Sequence, residues 1–356
     1  TYRHPQSVFS TNLTDVELGL FDGGLVLYTL SHLGGGLARW VADASGRFVP
    51  SGEVAHPPRL RHVAIPDIVL LEGPGGRASL VTTGMVGEPA ARTVGQGGEI
   101  GAPDLGFGAG GDARAAGGGL PPDLAGIARA TTAAGVDCLV TARPGDTQIS
   151  VWRVAADGRV TLSAQSGRPS GIEGAQVDAL IAVRINDAVV IVSSSLRGNY
   201  VATHRLADNG TLLAGEYIGS ASGTGFNQPR DLVHAEVGGR HFIIVSSAQS
   251  SSLTVVSLSA DGRMMPLDHV IDELGTRFQG VTAMESVSID GRSFIIAGGA
   301  DDGLSLLTLT TDGRLLHLAA IADAAQLALA DVSSISAEVV NGRIVVVAAS
   351  ATEHAF

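Results

Sequence analysis

The sequence predicts an all-β protein, a seven-bladed β-propeller of four-stranded blades over residues 1–356, with the last blade closed by the N-terminal strand. Three observations predict it. Short apolar runs recur throughout and are separated by tight turns rich in Asp, Asn and Gly. One such turn returns as Ala44-Ser45-Gly46-Arg47, Gln96-Gly97-Gly98, Asp157-Gly158-Arg159, Asp208-Asn209-Gly210, Asp261-Gly262-Arg263 and Asp312-Gly313-Arg314. An acid marks the start of each repeat, at Asp15, Asp67, Asp123, Asp178, Asp231, Glu285 and Asp331, spaced 52, 56, 55, 53, 54 and 46 residues apart. A fixed period of this length is the signature of a repeat architecture, and four antiparallel strands per period make a propeller blade.

The clearest repeat is Gly280–Ala324. Its strands are Ala283–Ile289, Ser293–Gly298, Leu304–Thr310 and Leu315–Ile321. Asp290-Gly291 and Asp312-Gly313 join apolar runs, and Gly accepts the positive φ that such turns demand. The polar turn Ala300-Asp301-Asp302-Gly303 resembles fragments of calcium loops, but without the remaining ligands it reads as a turn.

Taken in order, the first repeat carries VELGLFDG, GLVLYTLSHL, LARWVAD and FVPSGEVAH from Asp15 onward. The second keeps Ile68–Leu71 and Ala78–Thr83, then dissolves into a Gly-rich loop insertion over 84–120 that holds thirteen glycines. That stretch reads as degenerate outer strands and a long loop; no strand-to-helix context or Lys partner makes it a phosphate cradle. Repeats three to five carry the second strands CLVTA, VVIVSSS and FIIVSSA. The seventh has strands at Val332–Val340 and Arg343–Ser350, and the chain stops where a third would begin. Gln6–Asn12 is therefore expected to pair beside residues 344–356 and close the ring. Ala322–Ala330 is the one stretch expected to form a short helix between blades.

Composition bounds the function. Of 356 residues 45% are apolar and 16% charged, ample for a large core. A net charge of −12 argues against nucleic acid or an anionic membrane as partner, and no long apolar run predicts a spanning helix. The single Cys138 lies in the apolar run Val136–Thr141 and reads as a buried hydrophobe. TYRHPQSVFS is no signal peptide and has no initiator Met, so the chain is expected to be processed, trimmed or one portion of a longer product.

The seven acids are the first candidate site. Innermost strands bring them towards one mouth of the channel, where Ca²⁺, which takes six to eight oxygens, would relieve their repulsion. Capping of backbone N–H groups is the favoured alternative, because a functional site rarely needs every copy. Arg230, Asp231, His234 and Glu236 offer the cation, acid and base that a hydrolase needs, or ordinary polar strand ends. The histidines show no zinc spacing. Phe107, Phe226 and Phe278 each follow a glycine-containing loop and read as apolar plugs between blades.

Two resemblances follow. GRHFIIVSSAQSSSLTVVSLSADGRMMPL is similar in layout to lactonase-type seven-bladed propellers. Their motif places a His after Pro-Arg at the head of a first strand; here Gln228-Pro229-Arg230 is followed by Asp231. LTDVELGLFDGGLVLYTLSHLGGGLARW and LGTRFQGVTAMESVSIDGRSFIIAGGADDGLSLLTLTTDGRLLHL resemble the N-terminal propellers of alphaproteobacterial repeat-in-toxin (hemolysin-type calcium-binding) secreted proteins. That resemblance implies an extracellular or cell-surface location and C-terminal calcium-binding repeats outside this sequence. It carries no catalytic residue across. Gly110-Gly111-Asp112 lacks the continuation of a calcium repeat.

The reading that results is a non-enzymatic secreted or cell-surface propeller, an interaction or assembly module for protein or carbohydrate. Its rival is a lactonase-like hydrolase with a divalent cation at the channel mouth. A third reading has a partner segment completing blade seven by strand addition.

Overall fold

Turn chemistry sets the architecture. In the computed structural model, which describes residues 1–22, 24–32, 35–73, 76–87, 91–104, 120–121, 123–156, 158–166 and 176–356, both residues of Asp290-Gly291, Gly238-Gly239 and Asn341-Gly342 have positive φ. That geometry matches the strand twist and joins first to second strands. The turns joining third to fourth strands use one left-handed glycine each: Gly46, Gly98, Gly158, Gly210, Gly262 and Gly313. Asp157 lies outside the described residues.

These turns build six four-stranded antiparallel sheets. Blade one is β1 Leu13–Phe21, β2 Gly24–Ser31, β3 Gly36–Ala42 and β4 Phe48–Ala55. Blade two is β5 Arg61–Glu72, β6 Ala78–Val86 and the short β7 Ala91–Val94 and β8 Ile100–Pro103. Blade three is β9 Gly126–Thr131, β10 Asp137–Ala142, β11 Ile149–Val154 and β12 Val160–Ser166. Blade four is β13 Ala179–Ile185, β14 Ala188–Ser195, β15 Tyr200–Leu206 and β16 Leu212–Gly219. Blade five is β17 Pro229–Val237, β18 Arg240–Ser247, β19 Ser252–Leu258 and β20 Met264–Ile271. Blade six is β21 Ala283–Ile289, β22 Arg292–Gly298, β23 Gly303–Leu309 and β24 Leu315–Ala322.

The expected seven-bladed ring is corrected to six blades. The seventh repeat forms only a two-stranded sheet, β25 Val332–Val340 with β26 Arg343–Ser350, between blade six and blade one. The two sequence marks counted different things: seven acids count first strands, whereas six glycine turns count complete blades. Closure by an N-terminal strand is also overturned. Ser7–Phe9 is a single 3-10 turn, and the chain ends meet instead through Tyr2 N–H to Phe356 O (2.8 Å) and Phe356 N–H to Tyr2 O (3.3 Å). Tyr2 stacks on Phe356, which sits edge-on to Trp40, so aromatic side chains fill space that strands were expected to fill.

Residues 323–330 are not helical; Ala322 ends β24 and Asp323 accepts the Leu329 N–H (3.1 Å). An Asp bonding nearby backbone competes with a helical turn. Of the Gly-rich stretch, β7 and β8 are short strands, while residues 105–119, with Phe107 and Gly110-Gly111-Asp112, lie outside the described residues. Phe226 and Phe278 are buried plugs in the seams of blades four–five and five–six. The core is not one mass but a series of apolar seams, one for each pair of neighbouring sheets. Cys138 is buried in the blade three–four seam, where burial pushes its thiol up to about 11. Among the described residues no helix is long and apolar enough to cross a membrane.

Candidate functional site at the central channel

The innermost strands converge on a cavity of about 970 Å³, lined by residues of all seven sheets or the segments just before them. Five of the seven predicted acids face it: Asp15, Asp67, Asp178, Asp231 and Glu285. Two do not. Asp123 precedes β9 and is held by the Arg143 guanidinium (2.9 and 2.5 Å). Asp331 precedes β25 in a left-handed conformation (φ 51°) and lines an adjoining cavity of about 280 Å³ with His32 and Arg230.

The acids that looked equivalent occupy different levels. Asp15 and Asp231 stand six residues before the ends of β1 and β17, and Ser334 holds that place in β25. Glu285 stands four before the end of β21, the level of Glu17 in β1. Sequence reasoning missed Glu17, although it lies two residues beyond Asp15 and so shares its face of the strand.

These side chains stitch neighbouring sheets together. An innermost strand has one edge with no ladder partner, and its N–H groups need acceptors. Asp15 Oδ2 accepts the Ile68 N–H of blade two (2.8 Å), and its Oδ1 accepts the Ser334 hydroxyl (2.5 Å). Glu17 accepts the Leu70 N–H. Asp231 accepts its own Leu232 N–H (2.8 Å) and the Met284 N–H of blade six. Ser334 and Ser336 hydroxyls accept the Val16 and Leu18 N–H groups across the last seam (3.2 and 3.0 Å).

The acids also crowd one another in protein-enclosed space. Burial pushes Asp15 and Asp231 up to about 6. Burial, then the charges of Glu285 and Asp67, push Glu17 to about 8; burial holds Glu285 at about 8 as well. Asp67 is open to the channel lumen yet surrounded by protein; burial and the Asp15 charge raise it well above the usual range. Several of these carboxyls therefore carry protons at neutral pH. Among the described residues, no three His, Cys, Asp or Glu side chains form a group that could hold a metal ion. The oxygens of Asp15 and Asp231 already accept hydrogen bonds from the chain, so these two as placed do not fit calcium.

One wall adds a cation and an imidazole. Arg230, the one arginine lining the cavity among the described residues, sits beside Asp231 at the head of β17. His234 lines the same wall, its Nε2 3.0 Å from His241 Nδ1. Burial and His241 lower His234 to about 4, so its ring is neutral at ordinary pH. Glu236 does not line the cavity and is exposed, 4.0 Å from the same His241 Nδ1. The sequence thus brought Arg230, Asp231 and His234 to one site but not Glu236.

Comparisons with known proteins bear on the fold. No family model matches the sequence, and no curated protein matches it. Solved structures do. A protein from Lactobacillus plantarum is 16% identical with a TM-score of 0.55, over 86% of this chain and 82% of that one. The periplasmic gluconolactonase of Pseudomonas aeruginosa is 16% identical with a TM-score of 0.50, over the same shares. The shared feature is the propeller fold. The resemblance to repeat-in-toxin proteins gains no support from these matches.

Proposed function

We propose that the chain is a small-molecule hydrolase of the lactonase kind, acting in the central cavity. The observation that carries this reading is the convergence of Arg230, Asp231 and His234 on a cavity that Glu17 and Glu285 also line, two carboxyls that keep their protons near pH 7. A neutral ring ester bound there would set its carbonyl oxygen towards Arg230, which stabilises the oxyanion as water attacks the carbonyl carbon. Neutral His234 takes the proton of that water, and Asp231 orients the Arg230 cation. A protonated Glu17 or Glu285 gives its proton to the ring oxygen as the C–O bond breaks, leaving a hydroxy acid. Positioned acid–base groups of this sort contribute about 10²–10⁴-fold. The gluconolactonase with the same fold supports the choice of chemistry through architecture alone.

The test is a pH-stat assay with glucono-1,5-lactone and a five-membered lactone across pH 5–9. Wild type should exceed buffer hydrolysis, with Arg230→Met lowering kcat by about 10²–10³-fold. Rates equal to buffer for both lactones would end the reading.

A second reading, a secreted or cell-surface module for a protein or glycan, draws on the outer rim. On β24 every residue after Leu315 is exposed, including Leu316, Leu318 and Ile321. An apolar strip of this kind suits a partner surface.

A further inference from the structure

Third strands show where the ring is unfinished. In β3, β11, β15 and β19, successive residues are buried, because a neighbouring blade covers each face. In β23 burial alternates: Gly303, Ser305, Leu307 and Leu309 are buried, while Leu304, Leu306 and Thr308 are half-exposed. Leu307 and Leu309 belong to the seam with blade five, and Leu304 and Leu306 border the seam with β25 and β26. Cross-strand partners share a face, and β24 sets Ile321, Ala319 and Leu316 opposite Leu304, Leu306 and Thr308. An open apolar wall therefore faces the sector beside the two-stranded sheet.

The floor of that sector is a free strand edge. Among the described residues β26 pairs only with β25, apart from one bridge from Ser350 to Ala355. Second strands elsewhere, such as β2 and β14, are buried from their second residue onward, whereas Val346 in the middle of β26 is 38% exposed. After Arg343, no Pro or charged residue interrupts Ile344–Ser350, so the side-chain devices that blunt open edges are missing there. The wall on the blade-one side is already closed, by Tyr2, His4, Phe9 and Phe356 packed around Trp40 and Phe48.

We propose that this sector is a docking slot for an extended β-hairpin of another polypeptide. Its first strand adds antiparallel to β26, and its aliphatic side chains lie on Leu304, Leu306, Leu316 and Ile321. Strand addition takes affinity from main-chain hydrogen bonds and selectivity from alternate side chains. A hairpin fits better than a single strand, because each complete blade places two strands beyond its second. The occupant is neutral at its contact positions: in a chain of net charge −12, none of the wall residues is acidic. A second copy is disfavoured as donor, since every described strand already pairs within its own sheet and none is spare. The inference stands apart from the hydrolase reading and uses a different face of the molecule.

The probe is a synthetic peptide copying Gly303–Ala322, the outer hairpin of blade six, added to the intact chain. Hydrogen–deuterium exchange of the Ile344–Ala348 amides reads the edge. These amides should exchange faster than those of Phe294–Gly298 in β22, and the peptide should protect them saturably. Val346→Lys and Ile321→Glu, both at exposed positions, should weaken peptide binding about tenfold or more, while Met265→Lys on β20 leaves it unchanged. Slow exchange of the free edge, or no saturable protection by the peptide, overturns the slot. Protection that grows with protein concentration alone overturns the assignment to another polypeptide in favour of a second copy.

Discussion

The seam between blades five and six and the seam between blade six and the two-stranded sheet are made of similar strands with opposite fates. In the first, Phe278 is fully buried among residues of both blades, and strands from the channel to the rim contribute. In the second, burial holds near the channel, at Val332 and Ile335, and fails towards the rim, where Leu304, Leu306 and Ile344 are only partly covered. The apolar pattern of β23 does not differ in kind from that of β19. What differs is the neighbour, so burial in a propeller belongs to the pair of blades and not to the strand.

The comparison is sharpened most by cavity mutations. Phe278→Ala should cost about 3–5 kcal/mol in denaturant unfolding, whereas Leu316→Ala, at 48% exposure, should change stability by less than about 0.5 kcal/mol. Equal losses would mean that the rim of the second seam is covered after all.

Next is a pH effect confined to the channel. Glu17 and Glu285 have folded values raised from 4.5 to about 8, so the folded state holds their protons more tightly than the unfolded chain. Their contribution is full below about pH 4.5 and is lost as pH rises through 8. His234 acts oppositely: lowered from 6.5 to about 4, it removes stability as pH falls through that window. Above pH 6.5 only the acids act, so Tm should fall from pH 6.5 to 8.5 and fall less in Glu17→Gln/Glu285→Gln. A flat wild-type profile would refute the shared burial of these acids.

The stitching between sheets should show a smaller effect. Ser336→Ala leaves the Leu18 N–H without its acceptor and should cost about 1–3 kcal/mol. Ser257→Ala, whose hydroxyl meets Met265 O on the exposed rim (3.3 Å), should cost less than about 0.5 kcal/mol.

Much of this was legible in the residues. Asp290-Gly291 and Asp312-Gly313 announced their turns because positive φ leaves few alternatives, and β21, β25 and β26 fall where alternation placed them. The blade count was not legible, because an acid at a strand head and a glycine in an outer turn mark different things. Ring closure was missed for a related reason. Val8 and Phe9 read as strand-like, yet Phe9 packs from a 3-10 turn, a choice made by tertiary contact with Trp40 and its neighbours. At the site, Asp231 and Glu285 were found but their levels were not, since a two-residue offset along a strand is visible only once the hairpin ends are known. Glu236, grouped with His234 by alternation, does not line the cavity, because alternation says nothing of how far from the channel axis a residue lies.

The side-chain stitching also bears on modular exchange. Where sheets meet through backbone alone, repeats are interchangeable, and chains of this kind can grow by duplicating a blade. Here Asp15, Asp231 and Ser334, at one level of their strands, each accept a backbone N–H of the next sheet, at Ile68, Met284 and Val16. Such bonds ask only for an N–H, so a blade moved elsewhere would keep them. The Ser334 hydroxyl on Asp15 Oδ1 is different, because it joins two particular side chains across the closing seam. A moved blade would lose that pair, so the closing seam is where the inner surface fixes the order of the ring.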